Sequence, residues 1–336
     1  MKTNLLNRNS KLPFSNGKTL RNRVVIPPMA SQTADEQGYV TEKTLEHYQR
    51  LSQAQTGLLM VEYTFVHQTG RSEDHQLGIQ SDEHILGLSE LAKRIHASGA
   101  LAGIQLTHAG GKTERDMTGG FLMAPSAVSV PVKDRQLEIP EAMSDGDISL
   151  WKNSFVAAAE RAHKAGFDLV ELHAAHGYGL NQWLSPITNC RTDKFGGSLE
   201  NRARLLLEII TEIHKAFPDL LLAVRMPGQD FIEGGFTSEE AIQLAQMLEK
   251  AKVNILDVSS GIGGWRRPQA RIGEGYLVSE AANIQSSVNI PVIGVGGIQT
   301  GDYIDESLRA GLFSLAAVGR AILEAPEVFC QRVFCL

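Results

Sequence analysis

Eight short apolar runs, rich in β-branched residues, are separated along the chain by segments of helical length. This alternation is typical of parallel strands covered by helices, because parallel strands need long crossover connections. Eight is the strand number of a (β/α)8 TIM barrel, and 336 residues fit one such α/β domain, spanning residues 1–336, with insertions. The predicted strands are Arg23–Met29, Gly57–Val66, Ala100–Leu106, Phe167–His173, Leu220–Met226, Ile255–Ser259, Ile290–Val295 and Phe313–Gly319.

Further features are predicted around this barrel. The first twenty residues are turn-rich and are expected to form an N-terminal plug that closes the barrel floor. The segment Gly110–Asp147 is too long for an ordinary connection, so it predicts a lid or rim insertion after strand three. Thr237 stands three residues before Glu240, a spacing that predicts a capping box at the start of the helix between strands five and six.

Charge and composition argue against several classes of function. The formal net charge is −6 and no run of Lys or Arg exceeds a pair, so no basic surface for nucleic acid is expected. No stretch approaches the roughly 18 apolar residues of a membrane span, and no secretory signal is recognised, which predicts a cytoplasmic protein. Cys190, Cys330 and Cys335 are odd in number and lack the spacing of an iron–sulfur site. No metal is expected.

Glycine-rich loops follow the last two predicted strands, at the barrel end where this fold places its chemistry. Strands seven and eight end in Gly296-Gly297 and Gly319-Arg320. Glycine loops before helices expose backbone N–H groups that suit a phosphate, and Arg320 adds a fixed fork of donors. The glycines could instead mark tight turns only, but two such loops with an arginine favour a phosphorylated cofactor or substrate.

Predicted strand four ends in the segment His173-Ala174-Ala175-His176-Gly177-Tyr178. Two histidines three residues apart could bind zinc, but the neighbourhood shows no third ligand. Two imidazoles and a tyrosine in a glycine-containing loop also make a poor core segment. The favoured interpretation is that His173 and His176 are hydrogen-bond donors directed at a ligand oxygen.

Longer motifs point to a family. The His173–Tyr178 segment, followed by Leu184-Ser185-Pro186 and by the run Asn189–Arg202, resembles the old yellow enzyme family of FMN-dependent NAD(P)H oxidoreductases. The run is long and specific. The resemblance continues through Pro27-Pro28-Met29-Ala30 and Gly103–Gly110, and through residues 294–298, so it covers nearly the whole barrel.

The resemblance implies a set of contacts to FMN. Pro28 and Met29 would lie against the isoalloxazine ring, with Gln105 on its pyrimidine edge. Arg225 would lie beside N1 and O2, where a permanent positive charge stabilises the reduced flavin. The two glycine loops would bind the FMN phosphate. The implied cofactor-binding residues are Pro27, Pro28, Met29, Ala30, Gln105, Arg225, Gly296, Gly297, Gly319 and Arg320.

The resemblance also implies a reaction. In this family NADH or NADPH transfers a hydride to FMN, which passes it to the β-carbon of an activated alkene such as an enone, enal or nitroalkene. His173 and His176 would stabilise negative charge on the substrate oxygen. Tyr178 would donate a proton to the α-carbon, since its ordinary pKa of about 10 keeps it protonated at neutral pH. Tyr178 could instead be a rim aromatic that only contacts the substrate. The expected enzyme is an ene-reductase.

Four positions bear on specificity. Ala30 stands where family members usually carry a Thr or Cys that interacts with flavin O4. Gln32 stands where some relatives use a tyrosine on the substrate, and Tyr63 where a small residue is common. Trp265 follows predicted strand six, where it could contact a ligand or only coat the surface. Gln32 and Tyr63 predict a non-standard substrate pocket, whereas Ala30 predicts a lower midpoint potential of the flavin, because a hydrogen bond to a site that gains charge on reduction is missing.

A different enzyme class fits part of the pattern. A barrel lyase or isomerase could hold a sugar phosphate in the glycine loops without flavin. Gln105, Arg225 and the histidine pair would then have no joint purpose. A non-catalytic flavin-binding protein would likewise leave the donor pair unexplained. The sequence leaves open the physiological alkene, the choice between NADH and NADPH, and the oligomeric state, a homo-oligomer included.

Overall fold

A closed barrel of parallel strands is the framework of the protein. In the computed structural model, which describes residues 6–334, each barrel strand pairs in parallel with the next along the chain, and the last pairs with the first. Every predicted strand contains or overlaps an observed strand, which confirms the (β/α)8 fold. The barrel strands of this described part are β1 Val24–Ile26, β2 Leu58–Phe65, β3 Leu101–Thr107, β4 Leu169–His173, β5 Leu221–Pro227, β6 Ile255–Ser259, β7 Val292–Gly294 and β8 Leu315–Ala317.

Helices cover the outside of the barrel between successive strands. Helix α1, Glu42–Ser52, joins β1 to β2, and α2, Ile85–Ala97, joins β2 to β3. The helices that follow are α3 Asp145–Lys164, α4 Gly179–Leu184, α5 Leu199–Ala216, α6 Ser238–Lys250, α7 Val278–Gln285, α8 Gly301–Arg309, α9 Arg320–Glu324 and α10 Pro326–Phe334. Buried residues of α5 such as Leu206, Ile210 and Ile213 recur three and four positions apart, so one apolar face of the helix packs on the barrel.

Side chains of each barrel strand point alternately to the helices and to the barrel interior, because the side-chain period of a strand is two. On β4, Val170 and Leu172 belong to the core beneath the helices, whereas Leu169 belongs to a cluster inside the barrel. By the same alternation, Glu171 and His173 face the interior. The interior cluster consists of Leu20, Val25, Leu58, Met60, Leu169, Leu221, Ala223, Ile255, Ile293, Leu315 and Ala317.

An N-terminal hairpin closes one end of the barrel. Its strands, Leu12–Pro13 and Thr19–Leu20, pair antiparallel. Leu20 is buried within the interior cluster, and Phe14 packs against the same cluster. The predicted plug is therefore confirmed for its described part, while residues 1–5 lie outside the described residues.

The long connection between β3 and α3 lies on the carboxyl-terminal rim of the barrel. Val130 and Leu137 of this segment form a buried cluster with Ile262 from the loop after β6. The predicted rim insertion is thus confirmed, but it ends at Ser144 rather than at Asp147. Ser144 caps α3, since its hydroxyl accepts a hydrogen bond from the Asp147 backbone N–H. The short strands of the insertion are Met123–Ala124 and Glu141–Ala142.

The described part of the chain contains neither a membrane-spanning helix nor a cluster of metal-binding side chains. No helix within residues 6–334 is both long and apolar enough to cross a membrane. The same residues contain no cluster of three or more His, Cys, Asp or Glu side chains placed to hold a metal ion. Cys190 is exposed and Cys330 is buried, whereas Cys335 lies outside the described residues.

The capping box predicted at Thr237 is present at the start of α6. The Thr237 hydroxyl accepts from the Glu240 N–H at 3.2 Å, and the Glu240 carboxylate accepts from the Thr237 N–H at 3.3 Å. Thr237→Ala is expected to lower the free energy of unfolding by about 1 kcal/mol, because a helix N–H loses its acceptor. Urea unfolding measures the change, and Thr237→Ser, which keeps the hydroxyl, is the control. Equal losses in both variants would contradict the capping role.

Candidate active site

The interior faces of the central strands change from apolar to polar toward their carboxyl ends. On β5 the interior residues are Leu221, Ala223 and then Arg225, and on β6 Ile255 is followed by Asp257. The strand register places Arg225 opposite Asp257. Two polar layers result at this end of the barrel. Strands β3 and β4 also contribute buried polar residues to these layers, namely Gln105, Glu171 and His173.

Two buried carboxyl groups form the lower layer, each beside a longer polar side chain. Gln105 Nε2 donates to Glu171 Oε1 at 2.8 Å. Arg225 Nε lies 3.1 Å from Asp257 Oδ2, which is an ion-pair distance, although the N–H does not point at the oxygen. Burial raises the pKa of both carboxyl groups, that of Glu171 to about 8, and the neighbouring Asp257 adds to the effect on Glu171.

His173, His176 and Tyr178 form the upper layer, at the carboxyl end of β4. The His173 ring centroid lies 5.1 Å from that of His176 and 5.0 Å from that of Tyr178. Tyr63 of β2 joins them, with its ring 5.5 Å from that of Tyr178. His173 Nδ1 is buried and has no hydrogen-bond partner within residues 6–334, so this nitrogen is available to a ligand.

A left-handed backbone conformation positions His176. Its φ is 59°, a value that non-glycine residues adopt rarely and at some cost. The His176 N–H donates to the Ser260 carbonyl at 3.0 Å, and the His176 carbonyl accepts from Lys112 Nζ at 2.6 Å. The ring Nε2 lies 2.6 Å from Ser259 Oγ. Contacts from the β3 and β6 loops therefore hold both the backbone and the imidazole.

Burial sets the protonation states of the upper layer. Burial lowers the pKa of both imidazoles, and the positive charges of Arg225 and Lys112 lower it further. Both rings are therefore neutral near pH 7, each with one N–H donor and one acceptor nitrogen. Burial raises the pKa of Tyr178 to about 12 and lowers that of Lys112 to about 8. The Lys112 ammonium lies 4.6 Å from the centroid of the Tyr178 ring.

A cavity of about 1150 Å³ adjoins the lower layer at Arg225. It is lined by residues 27–29 after β1, by Arg225, and by Gly297, Gly319 and Arg320 after β7 and β8. Ligand pockets in proteins typically measure about 300–1,000 Å³, so a cofactor of substantial size fits here. The cavity thus connects Arg225 of the lower layer with the loops predicted to bind phosphate.

The two glycines after β7 have different positions. Gly297 lines the cavity with a φ of 69°, and a Cβ there would lie 2.6 Å from the Gly273 carbonyl oxygen. The Gly296 carbonyl accepts hydrogen bonds from the N–H groups of Gly275 and Tyr276, at 2.6 and 3.1 Å. Gly297 therefore borders the ligand space directly, whereas Gly296 holds the neighbouring loop in place.

Comparison with known proteins connects this geometry to a family. The sequence profile of the NADH:flavin oxidoreductase / NADH oxidase family matches residues 12–333. The chain belongs to this family. This flavin oxidoreductase is 42% identical over 311 residues to the NADPH dehydrogenase of Halalkalibacterium halodurans, covering 92% of this chain and 89% of the relative. It is 38% identical over 324 residues to the NADH oxidase of Thermoanaerobacter brockii, covering 94% of this chain and 49% of that protein.

Solved structures have the same fold. A complex of 2-naphthoyl-CoA reductase with 2-naphthoyl-CoA matches with a TM-score of 0.90 at 26% identity, over 97% of this chain and 52% of that chain. Morphinone reductase matches with a TM-score of 0.82 at 25% identity, over 98% of this chain and 90% of that chain. The flavin oxidoreductase thus spans about half the length of the naphthoyl-CoA reductase and of the NADH oxidase. The predicted membership of the old yellow enzyme family is confirmed, and the lyase or isomerase alternative is set aside.

The residues of the flavin oxidoreductase fit FMN, the cofactor of its family, with NAD(P)H as the reductant. Residues 27–29 provide an apolar wall for a ring system. Gln105 and Arg225 supply the hydrogen-bonding and charged groups that a pyrimidine edge requires. A Cβ at Gly319 would lie 3.2 Å from Met29 Sδ, so a larger residue there would intrude between the wall and the glycine loop.

Three other predicted residues of the flavin oxidoreductase neither line the cavity nor make a ring contact with the upper layer. Gln32 is exposed, with a φ of 53°, and donates to Glu73 Oε2 at 2.8 Å. Trp265 packs against the rim cluster of Val130 and Ile262. Ala30 follows the cavity-lining segment and is exposed. Of the pocket positions predicted from the sequence, Tyr63 is the one that contacts Tyr178.

Four residues of the site were missed by sequence reasoning. Glu171 and Asp257 each interrupt an apolar strand, and a carboxyl group in a buried strand requires a partner. That signal could have located both residues. Lys112, from the loop after β3, and Ser259, the last residue of β6, contact His176 from positions that are distant in sequence, so no local pattern indicates them.

Gly297→Ala is expected to weaken FMN binding at least about tenfold, or about 1.4 kcal/mol, because the new methyl group would meet the Gly273 carbonyl. Gly311→Ala is the matched control, since Gly311 also has a φ of 69° but open space around a Cβ. Both variants should lose about 1–2 kcal/mol of stability from the positive φ. Fluorescence titration of the apoproteins with FMN measures the affinities, and equal affinities in both variants would exclude a role for the Gly297 loop.

Proposed function

We propose that the protein reduces activated C=C bonds of enones, enals or nitroalkenes, with NADH or NADPH as the reductant. The observation that carries this proposal is the grouping of His173, His176 and Tyr178 above the cavity-lining Arg225. Two neutral imidazoles and a neutral phenol suit a substrate in which one oxygen gains negative charge and one carbon gains a proton. The names of the relatives, NADPH dehydrogenase and morphinone reductase, support a reductase that uses a nicotinamide.

The lower layer and the cavity would hold the cofactor. FMN, when bound, accepts a hydride from NAD(P)H and delivers it to the β-carbon of the alkene. Residues 27–29 support the ring, and Gln105 bonds its pyrimidine edge. The Arg225 guanidinium stabilises the negative charge that reduction adds at that edge. Gly297 and the pair Gly319-Arg320 bind the phosphate.

The two histidines bind the substrate oxygen. His173 Nδ1 has no partner among the described residues, so a ligand oxygen can occupy its open hydrogen-bonding position. Ser259 engages Nε2 of His176, which leaves the other ring nitrogen of His176 for the ligand. Because burial keeps both rings neutral, they donate hydrogen bonds without transferring their protons. The two donors are held in place before the charge develops, which is the requirement for electrostatic stabilisation of a transition state.

Tyr178 supplies the proton for the α-carbon. Its pKa of about 12 keeps the phenol protonated across the physiological range. Loss of this proton leaves a phenolate, and the Lys112 ammonium 4.6 Å above the ring stabilises that anion. The pair therefore combines a fully populated proton donor with a fixed counter-charge.

The direct test follows the absorbance of the FMN-bound protein under anaerobic conditions. NADPH should bleach the flavin band, and 2-cyclohexenone should then restore it. Restoration by ferricyanide, but not by 2-cyclohexenone, cinnamaldehyde or nitrostyrene, would reject alkene reduction while leaving the NAD(P)H dehydrogenase activity of the family in place.

His173→Ala is expected to lower kcat/KM for 2-cyclohexenone on the order of 10²-fold, because one of two oxyanion donors is lost. His173→Asn, which restores a neutral N–H donor, should recover part of that loss. Steady-state kinetics with NADPH measure both variants, and NADPH:ferricyanide reduction serves as the internal control. Unchanged alkene kinetics in His173→Ala would remove this residue from the substrate site.

Tyr178→Phe is expected to slow reoxidation by 2-cyclohexenone by about 10²–10⁴-fold, the usual contribution of a positioned proton donor. Reoxidation by ferricyanide should stay close to wild type, since that acceptor takes up electrons without a proton on carbon. Anaerobic stopped-flow measurements separate the two rates. If both acceptors react as fast as with the wild type, Tyr178 is only a contact residue.

A further inference from the structure

The buried acidic pair Glu171 and Asp257 has no role in the reaction described above, although it lies directly beneath the site. Their side chains are 0% and 1% exposed. Glu171 is on β4 and Asp257 is on β6, with β5 between them. Glu171 is in register with Ala223, and Asp257 is in register with Arg225. The two carboxyl groups therefore flank the strand that carries the guanidinium.

The charges of this layer do not balance when both carboxyl groups are ionised. One guanidinium, that of Arg225, then faces two carboxylates. Gln105 gives Glu171 one hydrogen bond, but Glu171 Oε2 and Asp257 Oδ1 have no hydrogen-bond partner within residues 6–334. Since an uncompensated charge in a buried site is strongly unfavourable, the layer is most stable when one of the two carboxyl groups holds a proton. That proton belongs to the pair rather than to either residue.

Arg225 connects the pair to the cofactor site. It lies 3.1 Å from Asp257 on one side and lines the cavity on the other. Gln105 makes a second connection, because its amide nitrogen donates to Glu171 and its amide oxygen remains for the N–H of a pyrimidine edge. Charge added at that edge therefore acts on the pair across two short contacts, and in a buried setting such effects are strong.

We propose that Glu171 and Asp257 form a proton-binding site coupled to the redox state of FMN. NAD(P)H transfers two electrons and one proton to the cofactor as a hydride, which leaves additional negative charge beside Arg225. Above about pH 8, where the pair of the oxidised protein has lost its proton, that charge draws one further proton from solvent onto the carboxyl pair. The pair returns this proton to solvent when the cofactor is reoxidised. The proposal rests on the FMN chemistry of the family and is independent of the identity of the alkene.

Other ionisable groups near the carboxyl pair could produce a similar pH dependence. Burial keeps His173 and His176 neutral near pH 7. Lys112 has a pKa of about 8, the same as that of Glu171. A pH dependence near this value could therefore arise from either residue, and Lys112→Met is the variant that separates them.

The experiment measures the midpoint potential of bound FMN from about pH 6.5 to about pH 9.5 by spectroscopic redox titration. In the wild type, the slope of the midpoint potential against pH should change near pH 8. Below this pH the slope should correspond to one proton per electron pair, because the carboxyl pair is already protonated in the oxidised protein. Above it, the slope should correspond to two protons per electron pair. Glu171→Gln and Asp257→Asn should keep the one-proton slope throughout, since a single carboxyl group matched by Arg225 binds no proton in this range. Lys112→Met should retain the change of slope.

Three outcomes would overturn the proposal: a constant slope in the wild type, a change of slope that both carboxyl variants retain, or one that Lys112→Met alone removes. Circular dichroism and bound FMN content show whether each variant is folded. An infrared difference spectrum of the wild type provides a second measurement that needs no variant. At about pH 9, reduction should produce a protonated-carboxyl band that shifts in D₂O, and its absence would equally reject the coupling.

Discussion

The closed ladder of parallel strands is the constraint on which the rest of the site depends. It directs every second side chain toward the barrel axis, so the order of residues along a strand becomes an order of layers inside the barrel. On β4 this order is Leu169, Glu171 and His173: an apolar floor, a carboxyl group and an imidazole. Because the N-terminal hairpin and the apolar cluster fill the floor, the polar groups face one another and the cavity. A redox cofactor is thereby supported on a base that excludes water from one side.

Electrostatic balance distinguishes the two polar layers. The upper layer is built from groups that burial holds neutral, two imidazoles and a phenol, with the Lys112 ammonium over the phenol. The lower layer concentrates formal charge, with one guanidinium between two carboxyl groups. Neutral donors suit a substrate that enters and leaves, because they bind it without a large change in net charge. Formal charges suit a cofactor that stays bound and changes its own charge during turnover.

Most features that depend on residues close together in the sequence were predicted correctly, whereas contacts between distant segments were not. The strands could be predicted because their apolar runs report burial on both faces, and the capping box at Thr237 because it lies within four residues. The grouping of His173, His176 and Tyr178 was predictable because one short segment carries all three. The contacts of Lys112 and Ser259 with His176 were not predictable, since the two residues belong to a loop and a strand that are distant in sequence from His176. The insertion boundary was misplaced by a few residues because the Ser144 cap starts α3 before the loop-like composition ends.

By itself, the sequence determined the strand count, the family and the candidate residues for binding FMN and substrate, because periodicity and contiguous motifs are local properties of the chain. Only the tertiary structure decided that Glu171, Arg225 and Asp257 form one buried charge layer, and that His176 is held by Ser259 and Lys112 in a left-handed conformation. These arrangements join strands and loops that are separated by many residues. Their protonation states depend on burial and mutual distance, which exist only once the barrel has closed.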